Sequence, residues 1–144
     1  MSGKLTSDDG RALIAVDLGA ESCRISLLQR RNAGFVISLV HRFANAPHAR
    51  DGHLYWDMRA IEAGVEIGLR RCAELAQEGV RSIAVNGWAV DYVRVDADGR
   101  ALCNPFCYRD QRNVHAEESL HQRISPERLR QLTGIQLLRI NTLY

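Results

Sequence analysis

The spacing of apolar residues changes period along this chain, and each change marks a boundary between elements. "ALIAVD", residues 12–17, is a short apolar run of the kind that makes a buried strand. "CRISLLQR", residues 23–30, alternates apolar and polar positions and predicts a second strand. "RNAG", residues 31–34, has turn composition, and "FVISLVHRF", residues 35–43, is a third β-rich run. Strands joined by turns this short form an antiparallel meander. The period then lengthens. From Asp57 to Glu78 the apolar or small positions Ile61, Val65, Gly68, Leu69, Cys72, Leu75 and Ala76 recur every three or four residues, which is one face of a helix. Asp57 suits the N-cap and Gly79 the C-terminal stop. "RSIAVNG", residues 81–87, is again a short buried strand. A strand that follows a helix commonly pairs parallel within the existing sheet, so residues 81–86 are expected beside the first strand.

The remainder is less periodic. "DYVRVDADGRAL" predicts a hairpin turning at Asp98-Gly99. "NPFCYRDQRN" reads as a loop, and helical signals return near residues 114–123. In "SPERLRQLTG" Ser125 is the expected N-cap, Pro126 lies in the first turn and Gly134 stands past the end. "IQLLRINTLY" has no clear period. Residues 1–11 are polar and read as a flexible tail, leaving 12–144 as one domain without repeat or linker.

Composition narrows the function classes. The 144 residues carry 19 basic and 17 acidic side chains, a net charge of +2 that argues against nucleic acid as a partner. No apolar stretch approaches the roughly 20 residues of a membrane span, and the N-terminus lacks a signal peptide's apolar region, so a cytoplasmic location is expected. Cys23, Cys72, Cys103 and Cys107 suggest no disulfide framework, and no Cys or His cluster completes a zinc site.

The stretch "AVDLGAESCRIS" is the chemical candidate. A single carboxylate, Asp17, ends the first strand, where a sheet opens toward a cleft. The small residues after it let backbone N–H groups approach phosphate oxygens. A nearby Asp suits a hydrated Mg²⁺, which takes oxygen ligands and keeps several waters. Asp17 reads as a metal-proximal acid, Gly19 to Ser22 as a phosphate turn and Arg24 as a phosphate cation. The plainer alternative makes Asp17 a turn cap and Arg24 a solvated strand residue.

The order strand, strand, strand, helix, strand opens a ribonuclease-H-like fold, an α/β class with a mixed sheet shared by actin-like ATPases and sugar kinases. The motifs go further. "AVDLGAESCR", "HRFAN" with "DGHLYWD", "NGWAVDYVRVDADG", "YRDQR" and "TGIQLLRINTLY" occur in the order and spacing of the FGGY carbohydrate kinases, and within them the chain resembles the rhamnulokinases. That resemblance covers nearly everything after residue 11. It implies ATP-dependent phosphorylation of a ketose, L-rhamnulose to L-rhamnulose 1-phosphate, with Mg²⁺. It also implies that Asp17, Gly19, Ala20, Glu21, Ser22, Cys23 and Arg24 lie at the ATP phosphates, with Asp17 holding the metal through water. Trp88, Ala89, Asp91 and Asn141 fall on the sugar side.

Three positions depart from the family pattern: Glu21 stands for Ser, Cys23 for Gly, and Ala89 for the Gly of Trp-Gly-Val-Asp. The resemblance also implies that the catalytic-base Asp and the adenine-binding lobe come after Tyr144. No catalytic residue is assigned here, and the expectation is a partial N-terminal lobe, inactive alone, whose partner is the C-terminal part of the kinase. A non-catalytic sugar- or phosphate-binding module and a subunit of a split kinase are the alternatives. Asp91 and Asp110 also read as local caps, Trp88 as a core aromatic, and all five histidines as structural or solvated.

Overall fold

The computed structural model describes residues 10–32 and 34–144. Most of the proposed N-terminal tail, and Ala33 of the "RNAG" turn, lie outside the described residues. The described residues divide into two compact units, 10–45 with 59–88 and 46–58 with 89–144.

The first unit is a sheet with one helix on it. Strands β1 (Ala12–Leu18), β2 (Ser22–Arg31) and β3 (Gly34–Ala44) form the antiparallel meander, and β6 (Val80–Gly87) pairs parallel with β1, giving the order β3-β2-β1-β6. This is the expected topology. Alternate residues Ala12, Ile14 and Val16 of β1 and Ile25 and Leu27 of β2 are buried on one face, against Cys72 and Ala76. Helix α1 (Met58–Leu75) covers that face and buries Ile61, Gly64, Gly68 and Cys72. Two of these are glycines because the helix comes very close to the sheet. A Cβ on Gly64 would stand 2.5 Å from the Phe43 ring, and one on Gly68 would stand 2.6 Å from Ile25.

The helix is shorter than its periodicity predicts. It stops at Leu75, and Gly79 sits beyond it with φ +86°. Leu75 is therefore not a core residue: its side chain is 54% exposed, while its carbonyl accepts from Gln29 Nε2. β6 is also less buried than an apolar run suggests, with Ile83 and Val85 both exposed. On the sheet face away from α1, Phe35, Ile37 and Leu39 of β3 are exposed as well.

The second unit has little ladder. A hairpin absent from the sequence reading, β4 (His48–Arg50) with β5 (His53–Tyr55), turns at Asp51-Gly52, where both φ values are positive. The expected hairpin at Asp98-Gly99 is a turn closed by a single Val95–Ala101 bridge, with Asp96 Oδ1 accepting from the Asp98 and Arg100 amides. Helix α2 (Arg112–His121) begins two residues before its expected start, because the Asp110 carboxylate accepts from Arg112 N. Helix α3 (Pro126–Thr133) is capped as read: Ser125 Oγ accepts from Arg128 N, and Gly134 takes the left-handed conformation. The C-terminal segment is tied to α2 by Arg139–Glu117 at 2.7 Å and by a His121–Tyr144 hydrogen bond. Among the described residues, no helix is long and apolar enough to cross a membrane.

Candidate functional site

Asp17 and Arg24 face each other across the β1–β2 pair. Arg24 Nε donates to Asp17 Oδ2 at 2.8 Å, and its Nη2 lies 2.6 Å from the same oxygen. Both side chains are 42% exposed. Among the described residues the other oxygen, Oδ1, meets only the long Asn86 Nδ2 contact of 3.4 Å, at the C-terminal end of the neighbouring parallel strand. One side of the carboxylate is thus neutralised and the other stays open to water.

The connection between the two strands is held from outside rather than by its own turn hydrogen bond. Asn45 Nδ2 donates to Gly19 O at 2.8 Å, and Asn45 N to Glu21 O at 2.9 Å. Asn45 is buried, so one residue fixes both ends of the loop, one through its side chain and the other through its backbone amide. The amides of Ala20 and Glu21 donate to no protein acceptor among the described residues. Gly19 is required by packing: a Cβ there would sit 2.6 Å from Ser22 O.

The two departures in this loop resolve differently. Glu21 is exposed, with its carboxylate toward solvent. Cys23 is fully buried, its Sγ 3.9 Å from Gly19 O, and burial raises its thiol pKa. Its side chain therefore fills the core, and only its backbone belongs to the loop. Ser22 Oγ accepts from Arg42 Nε at 3.3 Å.

The sugar-side residues divide between the units. Trp88 ends the first unit, its amide donating to Leu18 O, and Ala89 opens the second. Within the second unit, Thr142 Oγ1 donates to Val90 O at 2.6 Å, bringing the segment of Asn141 beside that of Ala89 and Asp91. Val90 has φ +75°, a conformation costing a β-branched residue of order 1–3 kcal/mol, and it stands between the two candidate positions. Asp91 accepts from the indole of Trp56 at 2.6 Å, and Trp56 is fully buried. Asn141 Nδ2 donates to Gln136 O at 2.9 Å. Trp56 escaped the sequence reading as a site residue, although the quoted "YWD" contains it.

Asp110 is the structural centre of this unit. Its side chain is 1% exposed and accepts from Leu54 N at 2.6 Å, Arg112 N at 2.9 Å and His53 Nδ1 at 3.1 Å. Burial alone would raise its pKa, but the hydrogen bonds from Leu54, Arg112 and His53 outweigh burial and hold it below the ordinary value.

Residues 12–144 match the FGGY family of carbohydrate kinases, N-terminal domain. The chain belongs to this family. Solved structures with the same fold include a gluconate kinase from Lactobacillus acidophilus, at TM-score 0.73 and 14% identity over 92% of this chain. A ligand-bound xylulose kinase from the same organism matches at TM-score 0.69 and 14% identity over 83% of this chain. A Plasmodium falciparum glycerol kinase with ADP matches at TM-score 0.69 and 11% identity over 91%. The chain spans only 26%, 24% and 27% of those three proteins. The FGGY domain thus has the actin-like ATPase fold expected from its strand order, with Asp17 at the end of its first strand.

The residues of that end suit a hydrated Mg²⁺. Asp17 Oδ1 has an open side, and the exposure of both Asp17 and Glu21 leaves room for a cation with its waters.

Proposed function

We propose that this chain supplies the phosphate turn and part of the sugar contact of an ATP-dependent sugar kinase, one that converts L-rhamnulose to L-rhamnulose 1-phosphate. The observation that carries the reading is the pairing of a half-exposed Asp17–Arg24 ion pair with two uncommitted amides, Ala20 and Glu21, at the C-terminal end of β1. Backbone amides presented this way stabilise phosphate oxygens without side-chain reorganisation. The choice of ketose rests on the motif resemblance, above all "NGWAVDYVRVDADG" and "TGIQLLRINTLY".

In this reaction the sugar hydroxyl oxygen bonds to the γ-phosphorus, the bond from that phosphorus to the β,γ-bridging oxygen breaks, and ADP leaves. A general base outside the assigned residues takes the hydroxyl proton. Mg²⁺, when bound, neutralises phosphate charge. Asp17 would hold the cation through water, while Arg24 keeps the Asp17 carboxylate oriented and limits its repulsion of the triphosphate. Ala20 and Glu21 amides hold phosphate oxygens, and Asp91, anchored by Trp56, sets the course of the backbone at Ala89.

The partner in this reading is the remainder of a kinase polypeptide. The exposed apolar residues Phe35, Ile37, Leu39, Ile83 and Val85 of the first unit, and Ile135, Leu138 and Ile140 of the second, are the surfaces it covers. The test is ADP release when the chain is combined with a polypeptide supplying the rest of an FGGY kinase, with L-rhamnulose, D-xylulose or glycerol offered in turn. Turnover with L-rhamnulose above the others, reduced by Asp17→Ala about 10²-fold or more, is expected. Turnover with none of the three, or preference for another sugar, would sink the kinase reading or its ketose respectively.

A further inference from the structure

We propose that the second unit carries a separate binding site for a small phosphate monoester, between the β4–β5 hairpin and the turn joining Arg94 to Asn104. A cavity of about 390 Å³ lies there, lined by His48, Arg50, Tyr55, Arg94, Asn104 and Phe106 among others. That size falls in the range of about 300–1,000 Å³ typical of small-molecule sites. A second cavity of about 190 Å³ shares Arg94, Asn104 and Phe106 with it and adds Arg112. No carboxylate lines either cavity among the described residues.

The charge of Arg94 and Arg50 is available rather than consumed. The Arg94 side chain makes no hydrogen bond or ion pair among the described residues. Arg50 meets only Asp51, its sequence neighbour, at 3.2 Å, and both are more than three-quarters exposed, so that pair is weak competition for a doubly charged ligand. Arg112 is held in place with its guanidinium 3.8 Å above the Phe106 ring and its Nε 4.0 Å from the buried Asp110 carboxylate, so its charge is partly spent. The His48 ring lines the cavity, but its Nδ1 is buried without a hydrogen-bond partner and out of a ligand's reach, so the arginines meet the anion's charge. Forked guanidinium groups match the oxygens of a phosphate better than those of a neutral ligand.

The floor of the cavity selects an ester over bare phosphate. Tyr55 and Phe106 stack with ring centroids 4.5 Å apart, and His53 meets Phe106 edge-on at 5.4 Å. Leu102 and the uncovered parts of the Tyr55 and Phe106 rings line the cavity and offer an apolar surface to the carbon skeleton carrying the phosphate. None of these residues belongs to the Gly19–Arg24 loop, so the site is independent of the kinase reading.

The experiment is titration of the isotope-labelled chain with inorganic phosphate, then with a hexose phosphate, following the backbone amides of Arg94, Cys103 and Asn104. Both ligands should shift these amides, the hexose phosphate at lower concentration. Arg94→Gln and Arg50→Gln, exposed positions that spare the fold, should each weaken binding about tenfold. Amides of Ala20 and Glu21 report the other site in the same spectra. No shift at residues 94–104 up to tens of millimolar, or shifts unchanged in both variants, would overturn the site. Equal affinity for phosphate and hexose phosphate would overturn the ester.

Discussion

The two units of this chain are ordered by different means. The first is a ladder: four hydrogen-bonded strands, their register shifted only at Ala12/Leu13 and Ile25/Ser26, with a helix laid close on one face through Gly64 and Gly68. Its stability is spread over many apolar contacts, none of which is a single point of failure. The second has two three-residue strands, two isolated bridges and two short helices. It is held by a few polar centres, of which Asp110 joins the β5 backbone, His53 and the start of α2. A ladder tolerates loss of any one rung, whereas a hub concentrates the dependence of several loops on one carboxylate.

The sharpest break of that contrast is Asp110→Ala. It orphans the amides of Leu54 and Arg112 and frees His53, a loss of about 3 kcal/mol. Hydrogen exchange should accelerate at Leu54, Trp56 and Arg112 while Ile14 to Leu18 stay protected. Equal acceleration in both sets would remove the distinction between hub and ladder.

Gly68→Ala acts on the other side. The added methyl meets Ile25, which overpacks the helix–sheet contact at a cost of about 1–3 kcal/mol, offset in part by about 1 kcal/mol of better helix propensity. A lower midpoint in urea is expected, and a stabilised variant would show that α1 stands farther from the sheet than described.

Acid should separate the units as well. The folded Asp110 pKa is lowered from its ordinary 3.8, so its contribution is fully present above that value and fades as pH falls through the folded pKa. Circular dichroism and exchange below pH ~4 should show the second unit loosening, and Asp110→Asn should remove that part of the pH dependence. An acid transition identical in the variant would assign it to other carboxylates.

The smallest effect is in thiol chemistry. Cys23, Cys72 and Cys107 are fully buried with pKa values raised by burial, while Cys103 is exposed. A maleimide should modify Cys103 quickly and the others only on opening, with Cys107 joining first in Asp110→Ala. Early reaction of Cys23 would contradict its place in the core.

The same contrast governs what the sequence revealed. The ladder was legible because period two in β1 and β2 and the helical period of α1 are signals of local geometry. Leu75 misled because a spacing of three or four marks a broad face, whereas the buried stripe here runs from Cys72 to Ala76 and leaves Leu75 at its edge. Ile83 and Val85 read as buried because composition cannot tell an uncovered strand from a covered one. In the second unit the pattern had little to offer. Asp51-Gly52 makes the hairpin and Asp98-Gly99 only a turn, although the dipeptide is the same; the strands flanking the first are secured by Asp110 and Phe106, which are far along the chain. Within the candidate site, the Asp17–Arg24 pairing across two strands follows from the hairpin register. The part played by Asn45 does not, because its two bonds to the loop come from the end of β3.

The central claim is that the Gly19–Arg24 loop receives phosphate through its backbone beside Asp17. The direct test is an amide-resolved titration of the labelled chain with ATP, with and without Mg²⁺. The account predicts weak, Mg²⁺-dependent shifts concentrated at Ala20, Glu21 and Arg24, and their loss in Asp17→Asn. Shifts that leave Ala20 and Glu21 untouched, or that persist in Asp17→Asn, would contradict it.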